Sequence, residues 1–167
     1  NKLRTPWEPA SPCPLPEYPC PQMSREHSRP GWVNLNGQWD YAILPREAAA
    51  PVRFDGKILV PYAVESLLSG VERALLPVER LWYRRFFESP LDGSQGKSTD
   101  RVLLHFGAVD YQCEVLVNGT LSGGHTGGYL PFILDITNLL EEGTNELVVS
   151  VWDPSDAGLQ QRGKQTL

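Results

Sequence analysis

This chain of 167 residues has no apolar run approaching the roughly 18 to 20 residues of a membrane-spanning helix. Its opening, NKLRTPWEP, lacks the apolar centre of a secretory signal, and a leader already removed would leave no mark. The expectation is a soluble protein, with localisation open between the cytoplasm and a secreted or periplasmic setting. Clustered basic charge is also missing: 15 Lys and Arg stand against 20 Asp and Glu, a net charge of −5. That balance argues against a nucleic-acid surface, which needs grouped cations facing phosphates. Cysteine is scarce, with three in all. Cys13 and Cys20 lie among prolines and fit either a small-loop disulfide or free thiols, while Cys113, in a strand pattern, reads as a buried thiol.

Several reactive arrangements are absent as well. His27, His105 and His125 stand far apart with no partner at ligand spacing, so no metal and no cofactor is expected. There is no Gly-x-Ser-x-Gly elbow, and Cys113 has no activating neighbour. The C-terminal GLQQRGKQTL comes near a phosphate loop, since Gly158 to Lys164 has the Gly-x4-Gly-Lys spacing. However, Gln165 stands where Ser or Thr would hold magnesium, and no parallel strand–helix unit surrounds it. No segment of about twelve residues carries a clean helical period.

What is present is glycine and proline, 15 of each, with 41% hydrophobic and 10% aromatic residues. Residues 1–30 read as an extended proline-rich arm, in which Trp7, Leu15, Tyr18 and Met23 suit packing along a surface. From residue 31 to 167 the texture is that of short strands. WVNLNGQWDYAIL, KILVPY and RLWYRRFFES are strand-like, and RVLLHFGAV alternates Val102, Leu104 and Phe106. CEVLVNGTLSGG puts Cys113, Val115 and Val117 on one face and turns at Asn118-Gly119. LPFILDIT and NELVVSVW complete the series, joined by NLLEEGTN as a short helical turn or loop. LLSGVERALLPVE has room for a turn of helix. Short strands between turn signals predict an all-β, antiparallel two-sheet jelly-roll β-sandwich.

The polar candidates are weaker than the fold. Asp153 and Asp156 follow the last strand in WDPSD, where carboxylates cap turns or face a ligand, with Trp152 beside them. An aromatic next to a carboxylate suits a sugar, whose C–H face stacks while its hydroxyls donate. In WYRRFF, Trp82, Arg84 and Phe86 share one face, and Tyr83, Arg85 and Phe87 the other. One set belongs to the core, with arginine stems lying over aromatics. GGHTGG at 123–128 reads as a bulged hairpin segment, with His125 open to a hydrogen-bonding role. Asn118-Gly119-Thr120 is also a glycosylation sequon, though turn chemistry alone accounts for it.

Taken in order, GWVNLNGQWDYAI, ILVPYAVESLLSGV, LWYRRFF and the run from VLLHFGAVDYQCEVLVNG through GGHTGGYLPFILDI to VVSVWDPSD resemble one family. They are similar to the N-terminal domain of glycoside hydrolase family 2, across roughly residues 25 to 167, most strongly from Phe106 to Asp156 with G-H-x-G-G-Y-x-P-F between two strands. The resemblance implies a galactose-binding-domain-like jelly roll. In complete enzymes an immunoglobulin-like domain and a (β/α)8 barrel follow, and the barrel carries the two glutamates of retaining hydrolysis. Neither the barrel nor those glutamates is in this sequence, so the chain is expected to be a non-catalytic piece of a β-glycosidase resembling β-galactosidases. Its implied partners are a carbohydrate and the remaining domains, with no nucleic acid, no membrane, and homo-oligomers left open. The tail from Asp153 resembles a loop reaching the active site and cut before a final strand. By position Asp156 matches a sugar-contacting aspartate, ahead of Asp153, with Gln161, Arg162 and Lys164 on the same excursion. Trp152, His125 and Arg84 are the further candidates for the pocket rim. No asparagine stands around Arg80 to Trp82, where some β-galactosidases place one against the sugar. A stand-alone carbohydrate-binding module and a purely structural or oligomerisation domain are the other readings.

Overall fold

A computed structural model of the chain describes residues 33–91, 100–155 and 157, so the arm expected over residues 1–30 lies outside the described residues. Eight strands are present among them: β1 (Gly37–Pro45), β2 (Gly56–Val60), β3 (Glu79–Glu88), β4 (Leu103–Phe106), β5 (Gln112–Val117), β6 (Thr120–Thr126), β7 (Phe132–Asp135) and β8 (Thr144–Trp152). Short 3-10 turns at Leu67–Ser69 and Thr137–Leu139 are the helical content, and each falls where a turn or loop was expected. The strands form a six-stranded sheet, in the order β2-β1-β3-β8-β5-β6, and a two-stranded sheet of β4 and β7. Every pairing is antiparallel. This is the all-β sandwich the strand pattern predicts, divided unequally between its two layers.

Period-two alternation decides which side chains meet between the layers. Cys113, Val115 and Val117 of β5 lie beside their register partners Val151, Val149 and Leu147 of β8 on the inner face of the six-stranded sheet and pack with Leu104 of β4, with Trp39, Ile58 and Leu81 extending the same core. On β3 the inward set is Leu81, Tyr83, Arg85 and Phe87; Tyr83 packs edge-on against Trp39 with ring centroids 6.4 Å apart. Trp82 faces outward with Arg84 and is nonetheless buried, beside the fully buried Ala42 of β1. The second layer docks through a stack of three rings. Phe106 lies parallel to Phe132 at 4.7 Å, and His125 lies on the other side of Phe132 at 4.5 Å. Gly123 lets that layer approach, because a Cβ there would stand 2.8 Å from Leu134 Cδ2.

The β5–β6 turn shows why Asn-Gly was chosen. Asn118 and Gly119 take φ values of 50° and 76°, the left-handed conformation a two-residue turn requires at both positions. The Asn118 side chain then ties three segments together. Its Nδ2 donates to Leu139 O at 2.9 Å and to Asn145 Oδ1 at 2.7 Å, while its Oδ1 accepts from Glu146 N at 2.9 Å. Asn145, fully buried in β8, also accepts from Glu141 N at 2.8 Å and donates to Glu141 O and Gly143 O, both at 3.0 Å. Two amides thereby fasten the turn, the 137–143 connection and the start of β8, at the end of the sandwich opposite the exit of β8.

Candidate functional site: the carboxylate rim where β8 leaves the sheet

At the exit of β8 four connections come together: the residues after Trp152, the β4–β5 loop, the β6–β7 loop and the segment around Glu65 and Leu75. Hydrogen bonds join them in pairs. Gly127 N donates to Tyr111 O at 2.8 Å, linking the β6–β7 and β4–β5 connections. Ser155 Oγ donates to Leu75 O at 3.3 Å, and Leu75 N donates to Glu65 Oε1 at 3.3 Å. Asp153 closes its own turn, its Oδ1 accepting from Ser155 N at 2.7 Å. That bond uses one carboxylate oxygen of Asp153, Oδ1.

Asp110 is the unexpected member. The residue is exposed, but its carboxyl group is tucked against Gly128, where a Cβ would lie 2.6 Å from Asp110 Cγ. Partial burial pushes this carboxyl above the usual carboxylate range, and the nearby charges of Asp153 and then Glu65 add to the effect. Three carboxylates from distant parts of the sequence thus share one rim. Tyr129 and Leu130, at the tip of the β6–β7 loop, are 68% and 67% exposed beside it. Among the described residues no group of three or more His, Cys, Asp and Glu side chains is arranged to hold a metal ion.

The residues singled out from sequence are distributed differently. Asp153 lies at the rim. Asp156, Gln161, Arg162 and Lys164 lie outside the described residues. Trp152 faces the outer side of the sheet, its indole donating to Pro77 O at 2.8 Å and its ring covered by the Arg46 guanidinium at 3.7 Å. Its polar atom and one ring face are therefore already engaged within the fold. Arg84 sits further along β3, paired in register with Val148 and bonded through Nε and Nη2 to Asp40 Oδ2 at 3.2 and 3.0 Å. It stacks over Phe54 at 4.0 Å, and its register partner Val148 lies four residues before Trp152, about 13 Å along the strand from the exit. Lys57 completes that outer cluster at 2.6 Å from Asp40 Oδ1; burial pushes the Asp40 carboxyl up, and the two cations outweigh it and hold it low. His125 belongs to β6 and faces inward, immediately below the rim, its Nε2 3.7 Å from where a Cβ on Gly127 would stand. Its register partner Cys113 is buried, and burial pushes that thiol up, away from the thiolate form.

Residues 33–161 match the model of the family described as "Glycosyl hydrolases family 2, sugar binding domain". The chain belongs to that family. Similar proteins include the β-glucuronidase of Canis lupus familiaris, 34% identical over 140 residues, which cover 75% of this chain and 20% of that protein. The β-galactosidase of Thermoanaerobacter pseudethanolicus is 39% identical over 70 residues, covering 42% of this chain and 9% of that protein. Among solved structures, a β-glucuronidase of Faecalibacterium prausnitzii superposes with a TM-score of 0.57 at 29% identity, over 72% of this chain and 20% of that one. This sugar-binding domain thus spans a fifth or less of the length of the relatives it matches.

Proposed function

We infer that this chain is the non-catalytic sugar-binding domain of a retaining β-glycosidase, and that its rim walls one side of the active site. The reading is carried by one juxtaposition within the family's sugar-binding domain: Asp153 leaves β8 at the end of the sandwich where Asp110 and Glu65 also lie, near enough for the charges of Asp153 and Glu65 to act on Asp110. Carboxylate oxygens in a partly shielded setting accept strongly from sugar hydroxyls. Hydrolysis itself belongs to two carboxyl groups flanking the glycosidic bond, expected on a separate catalytic domain. Asp153 and Asp156 are the residues proposed to touch substrate from this side. The partners are a β-glycoside and that catalytic domain. Names among the relatives are mainly β-glucuronidase, with β-galactosidase also present, so a β-galactoside in particular has the weaker support.

The test compares the 167-residue chain with the full-length polypeptide that carries it, on p-nitrophenyl β-glycosides. The chain alone is expected to release no p-nitrophenol and to bind monosaccharides weakly at most. Asp153→Ala and Asp156→Ala are expected to lower kcat/KM of the full-length enzyme by about tenfold each, the scale of one charged hydrogen bond. Turnover by the chain alone, or unchanged kinetics in both variants, overturns the reading.

A further inference from the structure

An aromatic ring beside the rim carboxylates is what a pyranose requires, and the fold exposes Tyr129 next to Gly128, the residue that abuts Asp110. Tyr129 is large, 68% exposed and mounted on a braced loop. Phe132 at the foot of that loop is clamped between Phe106 and His125, Gly127 is bonded to Tyr111 O, and Gly128 abuts Asp110 without room for a Cβ. A ring presented on a braced support loses little conformational freedom when a ligand stacks on it.

We propose that Tyr129 is a stacking platform for a neutral pyranose ring of a β-linked oligosaccharide, with the Asp110 carboxylate accepting hydrogen bonds from that ring's hydroxyls. The proposal deepens the function argued above and rests on it for the class of ligand. The C–H face of the pyranose lies on the phenol ring, and its hydroxyl edge turns to Asp110, which a single loop-to-loop contact sets next to Gly128. Neutrality follows from the surroundings. Asp110, Asp153 and Glu65 all bear on this end of the sandwich. The arginines of the adjoining elements are engaged: Arg73 with Glu79, Arg80 with Glu114 and Ser150, and Arg46 over Trp152. A uronate carboxylate brought onto Tyr129 would meet like charge with no described cation turned toward it.

The experiment is a fluorine NMR titration of the chain labelled with 3-fluorotyrosine, the Tyr129 resonance being assigned from its absence in Tyr129→Phe. Lactose and methyl β-D-glucuronide are the two probes, each taken to about 100 mM because isolated sugar contacts have Kd values near the millimolar range. Lactose is expected to move the Tyr129 signal saturably, and Asp110→Asn to raise its apparent Kd about three- to tenfold. The glucuronide is expected to bind at least about tenfold more weakly. A Tyr129 resonance that stays in place under lactose overturns the platform, and equal binding of the glucuronide overturns its neutrality. Because the readout is binding, it is separate from the hydrolysis assay: a full-length polypeptide with no glycosidase activity would remove the proposed function and leave the titration to decide the platform.

Discussion

Replacing Asn145 by alanine should cost about 3 to 5 kcal/mol, a large share of the roughly 5 to 15 kcal/mol that holds a domain of this kind together. The residue is fully buried, so its own amide is shielded from water. Its amide makes four hydrogen bonds, to Asn118 Nδ2, Glu141 N, Glu141 O and Gly143 O, at 2.7 to 3.0 Å. Asn118 Nδ2 keeps Leu139 O as a partner in the variant, but Glu141 N loses Asn145 Oδ1 as its acceptor. Four bonds at about 1 kcal/mol each, with one stranded donor, give the range quoted. Urea unfolding followed by tryptophan fluorescence would report it as a fall in midpoint at unchanged m, and thermal unfolding as a Tm lower by roughly 6 to 20 °C. Asn145→Asp supplies a signed control. The oxygen replacing Nδ2 would face the carbonyls of Glu141 and Gly143, so the acid form is favoured in the fold and its pKa lies above the unfolded value. Its stability should be greatest at low pH and fall as pH rises through the folded pKa. An Asn145→Ala chain that loses less than about 1 kcal/mol would refute the clamp.

Gly124→Ala places a Cβ 2.5 Å from Cys113 O, so the β5–β6 pair must part; a loss of roughly 1 to 3 kcal/mol is expected, with faster hydrogen exchange of the amides along those two strands. Trp152→Phe removes the bond to Pro77 O and should cost about 1 to 2 kcal/mol in stability while leaving the KM of the full-length enzyme within twofold, in contrast to changes at the rim. Asp135 has a carboxyl lowered to about 2, chiefly by the hydroxyl and then the backbone N–H of Thr137, with Arg101 adding to them. Its folded value lies below the unfolded one, so its contribution is present above about pH 4 and disappears as pH falls toward 2; an acid titration of Asp135→Asn should show a shallower loss over that window. Asp110 carries the opposite sign: its folded pKa is raised, so the ionised form opposes folding, and Asp110→Asn should match or exceed the unmodified chain in stability at neutral pH by urea unfolding.

Strand existence was most legible where apolar alternation and turn residues coincide. Cys113, Val115 and Val117 share a face as their spacing predicts, and Asn118-Gly119 makes the turn between β5 and β6. Alternation also sorted the side chains of β3 into two sets. It could not say which set was core, because Trp82 is buried on the outer face while Arg85 lies on the inner one, bonded to Asn36 O and Gln38 O. Nor could it divide six strands from two, since that division depends on pairings between distant segments. The same distance hid most of the rim. Asp153 stood out as a carboxylate following a strand, but Glu65 and Asp110 carry no local signal and are related to it only through the fold. Tyr129 was visible within the family motif, and nothing local distinguished its exposed ring from the clamped Phe132 three residues later.

The sequon at Asn118 takes on a different meaning once its side chain is located. An oligosaccharyltransferase needs the amide nitrogen free and reachable, and in the folded domain that nitrogen is already shared between Leu139 O and Asn145 Oδ1. Were this chain made in a glycosylating secretory pathway, modification would be confined to the interval before β5, β6 and β8 come together. A glycan at Asn118 would then act as a timestamp of slow folding, and would bar the molecule carrying it from closing the amide clamp.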